Sequence, residues 1–284
     1  MKHYAILLTV FNRVDCTIKC LKNLSLASAL CSDVTFDIYL TDDNSTDTTK
    51  QQLEEQFPQV KILQGDGNLF WCRGMVNSWN AAIEYTQTEY DGYFWLNNDS
   101  YIYPEALQNV LDSSLEKNDM AIISGCFRSE KTGLSTYGGR LKGQTRNLDP
   151  NGSLQIIDWM NGNLVFVPKY VFNKIGTLDP TFWHAIGDYD YGLRAKENDI
   201  QVLLSKDYVG VCEEHDRIEA CYDPKIPIKK RFKNFYSPLG DDPFIRFLFL
   251  KRHYSVFKAT KSFFISHLFV IFPSFMKLYN NKNR

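Results

Sequence analysis

The sequence predicts an α/β protein: a mostly parallel central sheet with helices on both faces, followed by a helical, basic C-terminal appendage. Three observations predict it. Over residues 4–124, short apolar runs alternate with stretches whose apolar residues recur every three or four positions, the pattern of strands and helices winding a parallel sheet. Two of the strand-like runs stop abruptly in small polar and acidic residues. Phe36-Asp37-Ile38-Tyr39-Leu40-Thr41 runs into Asp42-Asp43-Asn44-Ser45-Thr46, and Tyr93-Phe94-Trp95-Leu96 into Asn97-Asn98-Asp99-Ser100. Ligands of open α/β sheets collect where strands end, so two acidic strand ends imply one site for a ligand that brings cations with it. Finally, residues 225–284 hold thirteen Lys or Arg against Asp241 and Asp242, a net +11, while residues 1–224 carry −12. That asymmetry predicts an acidic body joined to a surface for anionic partners.

The elements follow in order. Residues 4–10 are apolar and strand-like, and Val14, Ile18, Leu21 and Leu24 then mark a helix. Residues 36–40 form the second strand. Ser45-Thr46-Asp47 opens a polar helix that Pro58 terminates. Residues 60–63 are a short strand, Gly65-Asp66-Gly67-Asn68 a loop, and Met75, Trp79, Ala82 and Ile83 an amphipathic helix. After the strand at 93–96, Pro104 starts a helix with Ala106, Leu107, Val110 and Leu111 inward, and 121–124 is again extended. From 126 to 160 the pattern changes to short alternating runs among Gly, Ser, Thr and Tyr, which predicts hairpins. Residues 164–167 are a strand, 188–197 a helix, and 201–204 and 208–211 two extended segments. The expected division is 1–224 for the body, in halves 1–125 and 126–224, and 225–284 for the extension.

Composition narrows the classes. Apolar residues at 44% and charged residues at 23% exclude a disordered chain. Seven cysteines, odd in number and without a Cys-x-x-Cys pair, read as reduced thiols of a cytoplasmic protein. Met1-Lys2-His3 leads straight into a strand without a signal-peptide pattern. No apolar run reaches the roughly 18 residues that span a bilayer. In the extension, residues 244–257 and 263–279 are aromatic-rich helical candidates, and the stretch around Ser266, His267 and Pro273 suits a helix lying in a headgroup region.

The order of motifs resembles a family 2 glycosyltransferase of the A-type nucleotide-diphosphosugar fold, with rhamnosyltransferase-like polysaccharide enzymes as its kin. The resemblance covers roughly residues 4–215. Thr9-Val10-Phe11-Asn12-Arg13 is similar to the family's first strand and turn, and Leu40 to Asp47 to its acidic, Ser/Thr-rich second strand end. Gly67-Asn68-Leu69-Phe70-Trp71-Cys72-Arg73 is similar to its Asn/Gly-rich loop before a helix. Asn97-Asn98-Asp99 falls where the family carries its Asp-x-Asp metal motif, and Gly187-Asp188-Tyr189-Asp190 resembles its acidic catalytic motif. The sequence departs from the pattern twice: Asn97 replaces the first carboxylate of the metal motif, and Gly187 the Glu that usually precedes the catalytic Asp.

The resemblance implies a donor site at Thr9, Phe11, Asn12, Arg13, Asp42, Asp43, Asn68, Arg73, Asn97 and Asn98. A carboxylate at a strand end can accept from a base N–H or ribose hydroxyls, and either Asp42 or Asp43 suits that contact. The diphosphate leaving group calls for Mg²⁺ or Mn²⁺ held by hard oxygen ligands, with Asp99 as ligand and His215 in the same shell. An acceptor hydroxyl needs a base, assigned to Asp188; in-line displacement would then invert the anomeric centre. Trp159, Asn161, Gly162, Trp183 and Asp190 are expected on the acceptor side, with Asp190 also placed to pair with Arg194 one turn on. The implied partners are a nucleotide-sugar donor, a glycan or lipid-linked glycan acceptor, and an anionic membrane at the inner face of the cell. A sugar nucleotidyltransferase would want a Gly-rich phosphate loop after the first strand, where Thr9-Val10-Phe11-Asn12-Arg13 has no glycine. A non-catalytic nucleotide- or glycan-binding module remains the other class, and the acidic body argues against a nucleic-acid reader.

Overall fold

The computed structural model describes residues 1–86, 88–184, 186–214 and 220–276. These divide into two compact units, Met1–Pro180 with Gly187–Glu214, and Thr181–Ile186 with His215–Arg284.

The first unit opens with β1 (Lys2–Val10), α1 (Val14–Leu30), β2 (Val34–Asp42), α2 (Thr49–Gln56), β3 (Val60–Gln64), α3 (Phe70–Tyr85) and β4 (Gly92–Leu96). These four strands are parallel, as alternation with helices requires. There follow β5 (Tyr101–Ile102), α4 (Ala106–Glu116), β6 (Ile122–Arg128), β7 (Ser135–Tyr137), β8 (Gly139–Arg140), β9 (Gln155–Ile156), β10 (Trp159–Met160), β11 (Leu164–Pro168), α5 (Lys169–Ile175), α6 (Gly187–Glu197) and β12 (Val202–Val211). The main sheet runs β3-β2-β1-β4-β11-β6-β12-β5. The expected α/β class is therefore present, as a mixed, mostly parallel sheet: β11 lies antiparallel to both β4 and β6, and β12 parallel to β6.

Two features of this topology make the site. The order β3-β2-β1-β4 sends the carboxyl ends of four strands to one edge, and the chain direction reverses its winding between β1 and β4, the place where α/β sheets hold ligands. Because β11 runs against β4 with Leu164 opposite Leu96, the segment entering β11 meets the segment leaving β4. Residues 161–163 and 97–99 are joined by sheet pairing rather than by proximity in sequence.

Packing fixes α3 and α6 beneath this edge. Trp79 of α3 is fully buried, its ring 5.2 Å from Tyr93, 5.7 Å from Trp95, 5.8 Å from Tyr191 of α6 and 5.9 Å from Phe172 of α5. Such aromatic pairs contribute about 0.5–1.5 kcal/mol each beyond area burial. Buried hydroxyls tie α3 to the strands as well: Ser78 Oγ donates to the Leu8 carbonyl at 2.8 Å and lies 2.7 Å from Thr41 Oγ1. Gly74 lets the helix come in, since a Cβ there would lie 2.1 Å from Thr9 Oγ1.

The hairpins expected across 126–160 are short: β6 pairs β7 and β8 pairs β10, both antiparallel. The two extended segments near 201–211 are one strand, β12, whose register shifts around Tyr208; the irregularity interrupts the alternation read from sequence. α5 was not anticipated, and α3 starts at Phe70, ahead of its apolar periodicity.

Among its described residues the second unit contains a 3₁₀ turn (Ala220–Tyr222), α7 (Ile228–Phe235), α8 (Pro243–His253) and α9 (Val256–Ile271). Cys221, Phe235 and Val270 form its small core. Asp242 caps α8, its Oδ1 accepting from the Phe244 and Ile245 amides, with Pro243 at the first helical position. Ser255 caps α9 by accepting from the Lys258 amide at 3.1 Å. That cap breaks the helix expected to run through 257. No helix among the described residues is long and apolar enough to cross a membrane.

Candidate active site

The strand-end loops are held together by an unusual density of side chain to backbone bonds. At the end of β2, Asp42 Oδ1 accepts from the Ser45 amide at 2.9 Å. Asp43 accepts three amides: Gly67 on Oδ1 at 2.9 Å, and Leu69 and Phe70 on Oδ2 at 3.0 Å each. Both carboxylates are buried. Asp43 thus fastens the loop before α3 to the β2 end, while at the start of α2 it is Asp47 whose Oδ1 accepts from the Thr49 amide, at 3.0 Å. From the β1 end, the Asn12 amide donates to Ser45 Oγ at 2.7 Å and its Oδ1 accepts from the Thr46 amide at 2.9 Å. Asn12 and Arg13 are left-handed, with φ of 58° and 64°, as are Phe70 at 56° and Ile186 at 76°. For Phe and the β-branched Ile this is strained backbone that the surroundings must over-determine, and Ile186 directly precedes α6.

The β4 end is equally engaged. Arg13 Nη1 donates to Asp99 Oδ2 at 3.0 Å. Asn97 Oδ1 accepts from the Trp71 indole at 2.7 Å, the Asn97 amide donates to the Asn163 carbonyl at 3.0 Å, and Asn98 Nδ2 donates to Thr17 of α1 at 3.0 Å.

Trp71 carries the contact onward. A Cβ at Gly162 would lie 2.5 Å from its Cζ2, and one at Gly187 would lie 3.6 Å from its Cζ3 and 2.6 Å from Cys72 Sγ. The Gly162 amide in turn donates to Asp188 Oδ2 at 3.1 Å, while Asp188 Oδ1 accepts from the Tyr189 amide at 2.9 Å. Asp43, the loop to Trp71, Asn97, Gly162 and Asp188 therefore form one continuous set of contacts, with Asp42 next in the chain to Asp43 and Asp99 two residues beyond Asn97. Asp188 is partly reachable by solvent, yet burial pushes its carboxyl up to about 6, against lowering by the Tyr189 and Gly162 amides and by Arg140.

On the far side of Asp188, Trp159 meets Tyr189 edge-on at 5.3 Å. Arg140 Nη2 donates to the Tyr189 hydroxyl at 3.3 Å. Asn161 Oδ1 accepts from the Gly138 amide at 3.3 Å. The sequence offered no sign of Arg140; it arrives through the pairing of β8 with β10, which sets it opposite Trp159.

The remaining expected site residues are placed as follows. Asp190 is fully buried, accepting from Arg194 Nε at 2.8 Å, so the pairing expected with Arg194 is present. Thr9 lies against α3 at Gly74. Arg73 Nε donates to the Pro180 carbonyl at 2.8 Å. Asn68 and Phe11 are exposed on their loops. Trp183 belongs to the second unit, and His215 lies outside the described residues.

The Gly162 contact has a measurable consequence. An alanine there must displace the Trp71 ring or withdraw the amide from Asp188, a shift of about an ångström, and shifts of that size cost about 10²-fold in rate. Gly162→Ala is expected to lower kcat by that order while melting within a few degrees of wild type. Unchanged kcat in a steady-state assay would show that the contact has no bearing on turnover.

A mixed, mostly parallel sheet of this order, with acidic strand ends at one edge, is the arrangement of the A-type glycosyltransferase fold. The sequence profile of glycosyl transferase family 2 matches residues 5–176, and the chain belongs to that family. The segment with Asp188 follows the matched stretch. S. aureus TarS 1–349 in complex with UDP superposes with a TM-score of 0.57 at 15% identity, covering 90% of this chain and 72% of that one. The same protein with UDP-GlcNAc gives 0.56 at 14%, over 90% and 73%. The mannosyltransferase PcManGT from Pyrobaculum calidifontis, in complex with GDP-Man and Mn²⁺, gives 0.54 at 11%, over 92% and 73%. At these identities the likeness is one of fold. Comparison with curated proteins by sequence finds no match.

Proposed function

We propose that this glycosyltransferase is inverting, and that it moves a sugar from a nucleotide-diphosphate donor to a hydroxyl of a glycan or lipid-linked glycan at an anionic membrane, with Asp188 as base. The observation that carries the reading is the Trp71 bridge. One indole bonds Asn97, two residues from Asp99, and packs on Gly162, whose amide holds Asp188. Donor-side and acceptor-side carboxylates are thereby registered through a single rigid ring.

In the proposed step the Asp188 carboxylate takes the proton from the acceptor hydroxyl as that oxygen forms its bond to the sugar C1. The bond from C1 to the diphosphate breaks on the opposite face, and the electron pair leaves with the nucleoside diphosphate. The amides of Gly162 and Tyr189 orient the carboxylate, and Arg140 and Tyr189 with Trp159 border the space beside it. Asp42 and the loops that Asp43 and Asn12 clamp support a nucleoside site at the β1 and β2 ends.

The residues present suit a divalent cation that arrives with the donor better than one held by the protein alone. Among the described residues no group of three or more His, Cys, Asp or Glu can hold a metal ion. Asp99, supplemented by the Asn97 carbonyl oxygen, is the donor set expected for Mg²⁺ or Mn²⁺ that shares its ligands with substrate phosphates and water. Such a cation, when bound, neutralises charge on the diphosphate. Arg13 pairs with Asp99, and with Asp99 holding a cation its guanidinium would be placed to pair with a phosphate instead.

The test is a thermal-shift screen of nucleoside diphosphates and their sugars with and without Mn²⁺. A ligand at a hundred times its Kd stabilises by about 2.7 kcal/mol, or roughly 5–10 °C for a unit of this size. One donor is expected to raise Tm by that order, and Mn²⁺ to add to the rise. Asp99→Ala should abolish the Mn²⁺ increment and keep part of the nucleotide effect. If no donor moved Tm under either condition, the transferase reading would be wrong.

A further inference from the structure

We infer that the outward face of α9 is a lipid-inserting surface, which seats the second unit in the interface of an anionic bilayer. The inference rests on the proposed action at a membrane-borne acceptor and identifies the residues that would make the contact.

α9 is apolar on two faces, and only one of them is used. Inward, Ala259, Ser266 and Val270 are buried, His267 Nε2 lies 2.7 Å from the Tyr236 hydroxyl, and the Phe263 ring sits 5.5 Å from Phe244. Outward, Phe257 is 79% exposed, Phe264 63% and Leu268 52%, with Ile271 also exposed. These follow one another at helical spacing with Lys261 between the first two, so they form a single stripe. Phe272 and Phe275 continue it past the helix end, at 53% and 60% exposure. Scattered exposed apolar residues are ordinary; a contiguous aromatic stripe marks an interaction surface.

Charge decides what covers it. Residues 243–276 contain five Lys or Arg and no Asp or Glu. Four of them, Lys251, Arg252, Lys258 and Lys261, cluster about the turn from α8 to α9 and are exposed. A second copy of this face would bring like charges together, whereas a bilayer containing acidic lipids attracts them, each Lys or Arg adding to the binding until salt screens it. The helix is too short to do otherwise than lie in the surface. Its 16 residues extend about 24 Å at 1.5 Å per residue, short of the roughly 30 Å hydrocarbon core. Aromatic side chains flanked by lysines are the composition of interfacial helices.

The test uses the full chain with sedimenting vesicles of phosphatidylcholine, alone or mixed with phosphatidylglycerol. Wild type is expected to sediment with the mixed vesicles and to be released as NaCl is raised. Phe257→Ser/Phe264→Ser should weaken that binding at least about tenfold, and Lys258→Gln/Lys261→Gln by a similar factor, on mixed vesicles. These side chains are exposed, so Tm and the donor-induced rise in Tm should match wild type; the lysine variant serves if the phenylalanine variant fails that check. The inference is overturned if wild type ignores the mixed vesicles, or if both variants bind them as wild type does. It is equally overturned if the stripe variant changes only the sedimentation mass, which would make this face a contact between copies. Failure of the donor screen with vesicle binding intact would sink the transferase reading and leave the stripe standing.

Discussion

Asp188→Asn is expected to lower kcat by about 10²–10⁴-fold, the range that general-base catalysis supplies, while the donor-induced rise in Tm persists. Asn preserves the shape and can still accept the Gly162 amide at the Asp188 position, but it takes no proton. A non-catalytic module has no turnover to lose, so the pairing of intact donor binding with lost turnover is the discriminating result. The pH profile carries the same information. With its carboxyl raised to about 6 by burial, Asp188 is increasingly protonated as pH falls through that value, so kcat/KM should climb with pH along a limb near 6 and level off above 7. Stability should move the opposite way. Between the ordinary carboxyl value of 3.8 and about 6, the folded protein keeps a proton that the unfolded chain has released. The raised group therefore favours folding below the unfolded value, and that contribution is lost as pH rises through the folded one. Asp188→Asn carries no such charge and should melt above wild type near pH 7.5, with the gap closing below pH 4. A variant that retained wild-type kcat would remove Asp188 from the base role outright.

Much of this fold is legible in the chain because local pattern and burial agree. The run Gly92–Leu96 is apolar throughout and becomes β4, buried at every position, and the polar residues after it mark the sheet edge where the site assembles. Polar strand ends identified both loops for the same reason: polar groups directly after a core strand need hydrogen-bond partners, which at the β2 end the loop amides supply to the buried Asp42 and Asp43. What local pattern could not carry was pairing. Gly162 reaches Asp188 and Trp71 reaches Asn97 because β11 runs antiparallel to β4, and that choice is set by contacts distant in sequence. Arg140 was invisible for the same reason, lying in a two-residue strand with no periodicity to read. Asp42 and Asp43 show a further limit. Sequence places both at the strand end, but alternation of side chains along a strand and the path of the next loop decide that Asp43 collects three amides and Asp42 one. In the second unit, Ser255 interrupts a helix that apolar content alone would have continued.

The largest loss of stability is expected at Arg194, not at any residue facing a ligand. Asp188 and Asp190 stand two positions apart at the start of α6, where the helix turns them to different sides. One borders the site and the other is sealed in protein. The Asp190 carboxylate, fully buried, accepts from Arg194 Nε, while Nη1 donates to the Ile175 carbonyl at 2.7 Å and Nη2 to the Thr177 carbonyl at 2.8 Å. One guanidinium thus neutralises a buried charge and stitches α6 to the end of α5. Arg194→Met removes all three bonds and leaves a carboxylate without its cation, a change that costs about 3–5 kcal/mol and should lower Tm by roughly 10 °C or more. Arg194→Lys should recover little, since a compact ammonium cannot reach three acceptors in the directions a planar fork does. Asp190→Asn/Arg194→Met should be milder than Arg194→Met alone, because the buried charge is then gone; a double-mutant cycle by urea denaturation reads the coupling directly. Additive effects, or an Arg194→Met protein within 1 kcal/mol of wild type by the wild-type range of point mutants, would mean that the pair does not hold α6 in place. Because the strained Ile186 backbone and the Asp188 carboxylate both sit at the start of that helix, loosening it should also blunt turnover while donor binding, which the proposed function assigns to the β1, β2 and β4 ends, is kept.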